Sequence, residues 1–374
     1  VRWCSRAWYK KCMTPDKTHL AGRNEMMQNG RIGVAVIGVG AQGSGVHVPA
    51  CYNHDRLKLV AIADLQQKKL DRVRSRYNVP NITRDYQDVL KMPDVDAVIV
   101  ALPNHLHAPV AIDALNAGKH VLVEKPMAIN AKEGQRMIEA RDKSGKLLLV
   151  GQNNRFTRES QLAKMFIESG QAGEVYFGET SWWRRRCGQR GWFIDKARSG
   201  GGALVDIGVH ALDVAWYLMG RPQPLYVLGE TYEKFGDTIR SLPTVYGDYE
   251  PETKFSVDDA AMGLIKFTNG STLLVGTSWA SNSYDRGIEV KLRGTKAGVF
   301  FDAKDGLRFL GDWDGDLVDI HPIPKDRGTL HDHFAACIAG EAEPIPRADD
   351  GLIVMKMLDA IYESSKIGEA VRIS

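Results

Sequence analysis

Three glycines at positions 38, 40 and 43 stand directly after an apolar run, Val34-Ala35-Val36-Ile37, and that pairing narrows the fold more than any other feature. A buried strand that turns sharply into a helix needs one glycine for the turn. A second lets the backbone approach a bound group, and a third lets helix and strand pack closely. Ala41 and Gln42 lead into the helix, whose N-terminus offers unpaired N–H groups and a partial positive charge. The result is a cradle suited to a pyrophosphate.

Glycine spacing alone is a weak signal, but its context strengthens it. The runs 34–36, 57–63, 97–101, 120–123 and 147–150 are continuously apolar, as strands buried on both faces are. Between them, 66–77, 109–116 and 132–143 carry helical spacing, and Gly118 and Gly145 stand where helix C-caps are expected. This alternation predicts a doubly wound parallel sheet, a dinucleotide-binding Rossmann domain over 31–150. Asp64 closes the second run. A carboxylate there accepts hydrogen bonds from the adenosine ribose and repels a 2′-phosphate, which favours NAD over NADP. The neighbouring Lys68 and Lys69 leave NADP open, and a helix-capping role for Asp64 is the competing reading.

After about residue 151 the texture changes. A helix over 160–169 precedes an aromatic, basic stretch, 181–193, and a glycine run, 199–202. Strand patterns then dominate. Runs 262–267 and 272–279 flank Asn269-Gly270, a hairpin signal that expects positive φ at both turn residues. Runs 288–292 and 299–302 flank 294–298 in the same way, helices are expected over 329–339 and 350–364, and a short run, 370–373, closes the chain. The second domain, 151–374, is therefore expected to be α/β with an open, mostly antiparallel sheet, and its last segment is placed to return to the first domain. A broad free sheet face is a natural subunit interface, pointing to a homodimer or homotetramer.

Bulk properties exclude several classes. The 49 basic and 46 acidic residues nearly cancel, leaving +3, so nothing drives the chain toward nucleic acid or an anionic membrane. No apolar run reaches the length of a membrane span. Cys4, Cys12, Cys51, Cys187 and Cys337 are scattered without CxxC spacing, which argues against disulfides and structural zinc and for the cytoplasm. Residues 1–30, basic and without an acid before Asp16, read as a disordered extension rather than a transit peptide.

Chemistry concentrates at the carboxyl edge of the parallel sheet, where ligands bind in such folds. Leu102, Pro103, Asn104 and His107 follow the fourth run, and Glu124 and Lys125, with Pro126, follow the fifth. Two charges ending a buried strand are costly unless solvated or used. In the second domain, Gly200-Gly201-Gly202 opens a helix that carries Asp206 and His210, an i, i+4 pair sharing one face. An imidazole beside a carboxylate is held in one tautomer and suits general acid–base work. The same spacing fits a metal, but no further ligands accompany it, so none is expected.

In their order, GxGxxG, Glu124-Lys125-Pro126 and a GGGxxxDxxxH segment resemble the Gfo/Idh/MocA family of oxidoreductases, the glucose-fructose oxidoreductase and inositol dehydrogenase relatives. The resemblance runs from Arg31 to the C-terminus. It implies a Rossmann domain, a second domain whose open sheet serves oligomerisation, and a catalytic set falling on Lys125, Asp206 and His210. These three would also meet the substrate, a sugar, sugar derivative or cyclitol. Further substrate candidates are Trp183, Arg184 and Trp192, because aromatic faces stack on sugar rings and guanidinium groups fork onto hydroxyls. Asn153 and Arg155 occupy the domain crossover, where Asn153 would reach the cofactor and Arg155 the substrate. Two other classes stay in view: an NAD-dependent glycoside hydrolase working by transient oxidation, and a non-catalytic sugar sensor.

Overall fold

The computed structural model describes residues 30–241, 245–248 and 250–373. Of the expected disordered extension, 1–30, all but Gly30 lies outside the described residues.

Six parallel strands form the first sheet: β1 (Ile32–Ile37), β2 (Leu57–Ala63), β3 (Asn81–Thr83), β4 (Ala97–Val100), β5 (His120–Val123) and β6 (Leu148–Val150). Their order is β3-β2-β1-β4-β5-β6, the doubly wound arrangement the alternating runs predict. The helices Gln67–Tyr77, His107–Asn116 and Ala131–Ser144 alternate with the strands. Asn130 caps the last of these by accepting from Glu133 N–H, and Gly145 ends it at φ +65. Two elements escape a reading by hydrophobic runs. β3 is three residues long and only half-buried, and the helix Tyr86–Leu90 is a single turn or so, started by Asp85.

The second sheet holds nine strands in the order β16-β15-β14-β13-β7-β12-β11-β9-β17. These are β7 (Val175–Trp183), β9 (Pro224–Tyr232), β11 (Ala260–Phe267), β12 (Thr272–Ser278), β13 (Glu289–Gly294), β14 (Ala297–Asp302), β15 (Gly306–Trp313), β16 (Asp316–Ile320) and β17 (Val371–Arg372). All neighbours are antiparallel except β7 and β12. A separate two-stranded ladder joins β8 (Gly188–Gln189) to β10 (Val245–Tyr246).

The β11–β12 turn corrects one expectation. Only Gly270 has positive φ, at +90, and its N–H bonds to Phe267 O while Phe267 N–H bonds to Ser271 O. This is a type I turn closed by a glycine bulge, not a turn with two left-handed residues. The Asn269 carboxamide supplies the reason, accepting from the Ser271 N–H and hydroxyl and stabilising the ordinary turn.

Helices cover one face of this sheet. The helix Ala348–Ile367 packs on β9 and also on the helix Ala131–Ser144 of the first domain, so one apolar cluster runs through both sheets. The helix Leu330–Ile338, begun by a Thr329–Asp332 capping box, contributes Leu330, Phe334 and Ala335 to the opposite core of the parallel sheet. The outer face of the large sheet is uncovered and exposes Tyr176, Tyr226, Leu228, Met262, Leu264 and Leu274. Among the described residues no helix is long and apolar enough to cross a membrane. Among them, too, no group of His, Cys, Asp or Glu is placed to hold a metal.

Candidate active site

The three glycines of the first loop separate by what each position demands. A Cβ on Gly38, whose φ is +92, would lie 2.3 Å from Ala101 O, and one on Gly43 would lie 1.9 Å from Gly38 O. Both are therefore required by the chain's own packing. A Cβ on Gly40 would meet nothing within 4 Å. The protein leaves that space open above a helix N-terminus, which is the concavity a pyrophosphate needs. Asp64 sits beside it, accepting from Val39 N–H at 3.0 Å and from Gln66 N–H at 2.9 Å. Its carboxylate thus starts the following turn and also borders the loop. Gly40→Val is expected to leave thermal stability nearly unchanged and weaken NADH binding about tenfold or more, as read by nicotinamide fluorescence. Gly43→Ala should instead destabilise the fold by about 1–3 kcal/mol through overpacking, as read by denaturant titration.

At the other end of the crevice, the Lys125 ammonium donates to Asp206 O at 2.6 Å and to Asp206 Oδ1 at 3.3 Å. The second carboxylate oxygen of Asp206 accepts from Trp279 Nε1 at 2.9 Å and Gln189 Nε2 at 3.2 Å. Glu124 turns the other way, 2.8 Å from His47 Nε2, and His47 Nδ1 is 3.0 Å from His331 Nε2. Burial raises the Glu124 carboxyl, but the His47 contact and the Lys125 charge more than offset this and hold it down at about 2. His331 is pushed down to about 3 by burial and by its neighbour His47.

His210 is not paired with Asp206, contrary to the i, i+4 expectation. The segment Leu204–Gly208 is a π-turn, with Val209 N–H bonded to Leu204 O, and the Asp206 carboxylate is taken up instead by Lys125, Trp279 and Gln189. The His210 partner is Asn154, whose carboxamide nitrogen lies 2.8 Å from Nδ1. Burial lowers the His210 pKa well below the ordinary range, and the nearby Lys125 charge adds to the effect. The ring is therefore a neutral imidazole across the physiological range.

Several expected ligand residues lie elsewhere. Arg155 is fully buried in an ion cluster, donating through Nε and Nη2 to Asp213 at 2.9 and 2.6 Å and through Nη1 to Asp350 at 2.7 Å. A guanidinium committed to two buried carboxylates cannot also serve a substrate. Trp183 faces the outer side of the sheet, against Gly276, while Trp182 faces inward, its ring 5.9 Å from His210. Alternation along β7 explains this, because Thr180, on the same face as Trp182, donates to Ala211 O of the covering helix. Arg184 stacks over Trp182 at 4.6 Å and donates to Cys187 Sγ. Trp192 stacks on Phe193 at 3.9 Å.

On the cofactor side, Asn104 is buried and donates to Ser199 O, joining the two domains. His107 bridges Leu102 O and Pro126 O, bracing the loop after β4, with Pro103, against the Lys125 segment. Asn153 is exposed at the start of the turn Asn153–Phe156. Asn154, Gln189, Trp279 and His47 went unread because no local motif marks them; each meets its partner through tertiary placement. For Asn154 the only hint was its position between Asn153 and Arg155.

Residues 32–152 match the oxidoreductase family with NAD-binding Rossmann fold, Gfo/Idh/MocA, and residues 160–300 match that family's C-terminal domain. Over 355 residues the chain is 32% identical to D-glucoside 3-dehydrogenase of Escherichia coli (strain K12), covering 93% of this chain and 99% of that protein. It is 30% identical to myo-inositol 2-dehydrogenase of Thermotoga maritima, with 72% of this chain and 75% of that protein aligned. Among solved structures, levoglucosan dehydrogenase in complex with NADH and levoglucosan superposes with a TM-score of 0.79 at 25% identity, covering 92% of this chain and 99% of that one. The chain is thus a member of the Gfo/Idh/MocA family of oxidoreductases, with an NAD-binding Rossmann domain on its N-terminal side.

Proposed function

We propose that this protein is an NAD-dependent dehydrogenase acting on a hydroxyl carbon of a sugar, sugar derivative or cyclitol. The observation that carries the reading is the convergence of the Lys125 ammonium, the Asp206 carboxylate and the half-buried imidazole of His210 at the carboxyl edge of the parallel sheet. Bound NAD supplies the hydride acceptor. His210 takes the hydroxyl proton, and Lys125, steadied by Asp206, donates a hydrogen bond to the same oxygen as it gains negative charge. Asn154 holds the imidazole. A carboxamide presents either N–H to a bare Nδ1 or Oδ1 to a protonated one, so it accommodates both tautomers. Trp182 and Arg184 offer the substrate an aromatic face and a cation. Similarity to sugar and inositol dehydrogenases supports the substrate class.

A screen of sugars, sugar acids and inositols for NADH production tests the reading, and silence across all three classes would end it. The pH profile adds an independent check. The base works while neutral, and its depressed pKa keeps it neutral below 6.5, so the acid limb of kcat/KM is expected below pH 6.5. An acid limb above that value would remove His210 from the role.

The exposed sheet face supports a homodimer or homotetramer. Leu228, Leu264 and Leu274 are register partners on β9, β11 and β12 and form an unbroken apolar row. Leu264→Glu is expected to reduce the mass measured by light scattering to that of a single chain. Unpaired Cys51, Cys187 and Cys337 fit a reducing compartment, in keeping with a cytoplasmic location.

A further inference from the structure

Between β9 and β11 the chain meets the first domain at Asp248. It is fastened to its own domain on both sides of Asp248. Val245 and Tyr246 pair with Gly188 and Gln189, and Glu250 forms an ion pair with Arg198. Backbone packing is close as well, since a Cβ on Gly191 would lie 2.6 Å from Asp248 O. So held, Asp248 presents its carboxylate to the loop after β2. One of its oxygens lies 3.1 Å from Lys69 Nζ and 3.3 Å from Gln66 Nε2. Gln66 is the residue whose N–H is bound by Asp64.

In a Rossmann fold the group beyond the second strand decides between a ribose 2′-hydroxyl and a 2′-phosphate. A phosphate there needs cationic and N–H donors. The cations of this neighbourhood are Lys68, Lys69 and Arg84, and the Nε of Arg84 is already donated to Leu65 O. We propose that Asp248 is a cofactor-specificity residue: it occupies Lys69 and Gln66, withholds them from a 2′-phosphate, and so selects NAD against NADP. The choice of cofactor is thereby made in part by the substrate domain. The inference rests on Asp64 marking the adenosine ribose end of the crevice. As a stabilising contact the pair counts for little, since Asp248 is 65% exposed and Lys69 22%. Its effect is on selectivity, because a cation held by Asp248 is withheld from a phosphate.

The test is fluorescence titration of NADH and NADPH against the full chain, Asp248→Asn and the double variant Asp248→Asn/Lys69→Ala. No sugar is needed. In Asp248→Asn the affinity for NADPH relative to NADH is expected to rise about fivefold, the scale of one exposed charge pair. The gain should shrink with added salt and vanish in the double variant. An unchanged ratio in Asp248→Asn, or a rise that persists without Lys69, overturns the proposal. Failure of the unaltered chain to bind NADH at all would instead strike the cofactor reading. Asp64→Ala separates the two further: if it leaves the NADPH-to-NADH ratio unaltered, the ribose end lies elsewhere.

Discussion

His210→Ala is expected to lower turnover by about 10²-fold or more, within the 10²–10⁴ range for a lost general base, while NADH binding stays nearly unchanged. The imidazole stands on the second domain, apart from the phosphate loop, so its removal leaves the cofactor cradle intact. The neighbours offer no ready substitute for the base: Lys125, already bonded to the carbonyl and carboxylate of Asp206, is a donor rather than an acceptor. Single-turnover NADH formation is the measurement. A loss of only a few-fold would assign the proton to another group. Asn154→Asp supplies a companion result: a carboxylate at Nδ1 favours the imidazolium, so the acid limb should move to higher pH, and an unmoved limb would deny Asn154 its hold on the ring.

Arg155→Met is expected to cost roughly 3–5 kcal/mol of stability, because it strands buried acids without their cation. Asp213 suffers most. Burial already raises its pKa, and the two short bonds from Arg155 are what oppose that shift. Asp350 keeps a second partner in Arg221, 3.2 Å away. The loss should appear as a lower Tm and denaturation midpoint, and Asp213→Leu in the same background should recover part of it. If Arg155 instead met the substrate, KM would rise with Tm unchanged.

That contrast shows where legibility ended. The parallel sheet was readable because strands buried on both faces must be nearly continuously apolar, and β1, β2, β4, β5 and β6 are, interrupted only by Lys58 in β2 and His120 at the start of β5. The glycine loop was readable because backbone geometry leaves few options there. Side-chain direction was not. Trp182 and Trp183 are equivalent in composition, and only the register of β7 against its neighbours says which faces His210. Arg155 stands at a crossover that suits a ligand residue equally well, and its partners are 58 and 195 positions away. The π-turn at Leu204–Gly208 has no sequence rule, and the groups that claim Asp206 and His210 separately, Lys125, Trp279 and Asn154, lie 81, 73 and 56 positions away.

The helix Leu330–Ile338 bears on how the molecule is made. Its Leu330, Phe334 and Ala335 complete one core of the parallel sheet, and the helix Ala348–Ile367 closes the other against the helix Ala131–Ser144. A ribosome therefore releases the whole dinucleotide half before the residues that seal it exist. Until then its apolar flanks stay open, and the half is a client for chaperones rather than a finished domain. Folding of the two halves is coupled by the order of synthesis, and a fragment ending near residue 152 would be expected to aggregate rather than bind nucleotide.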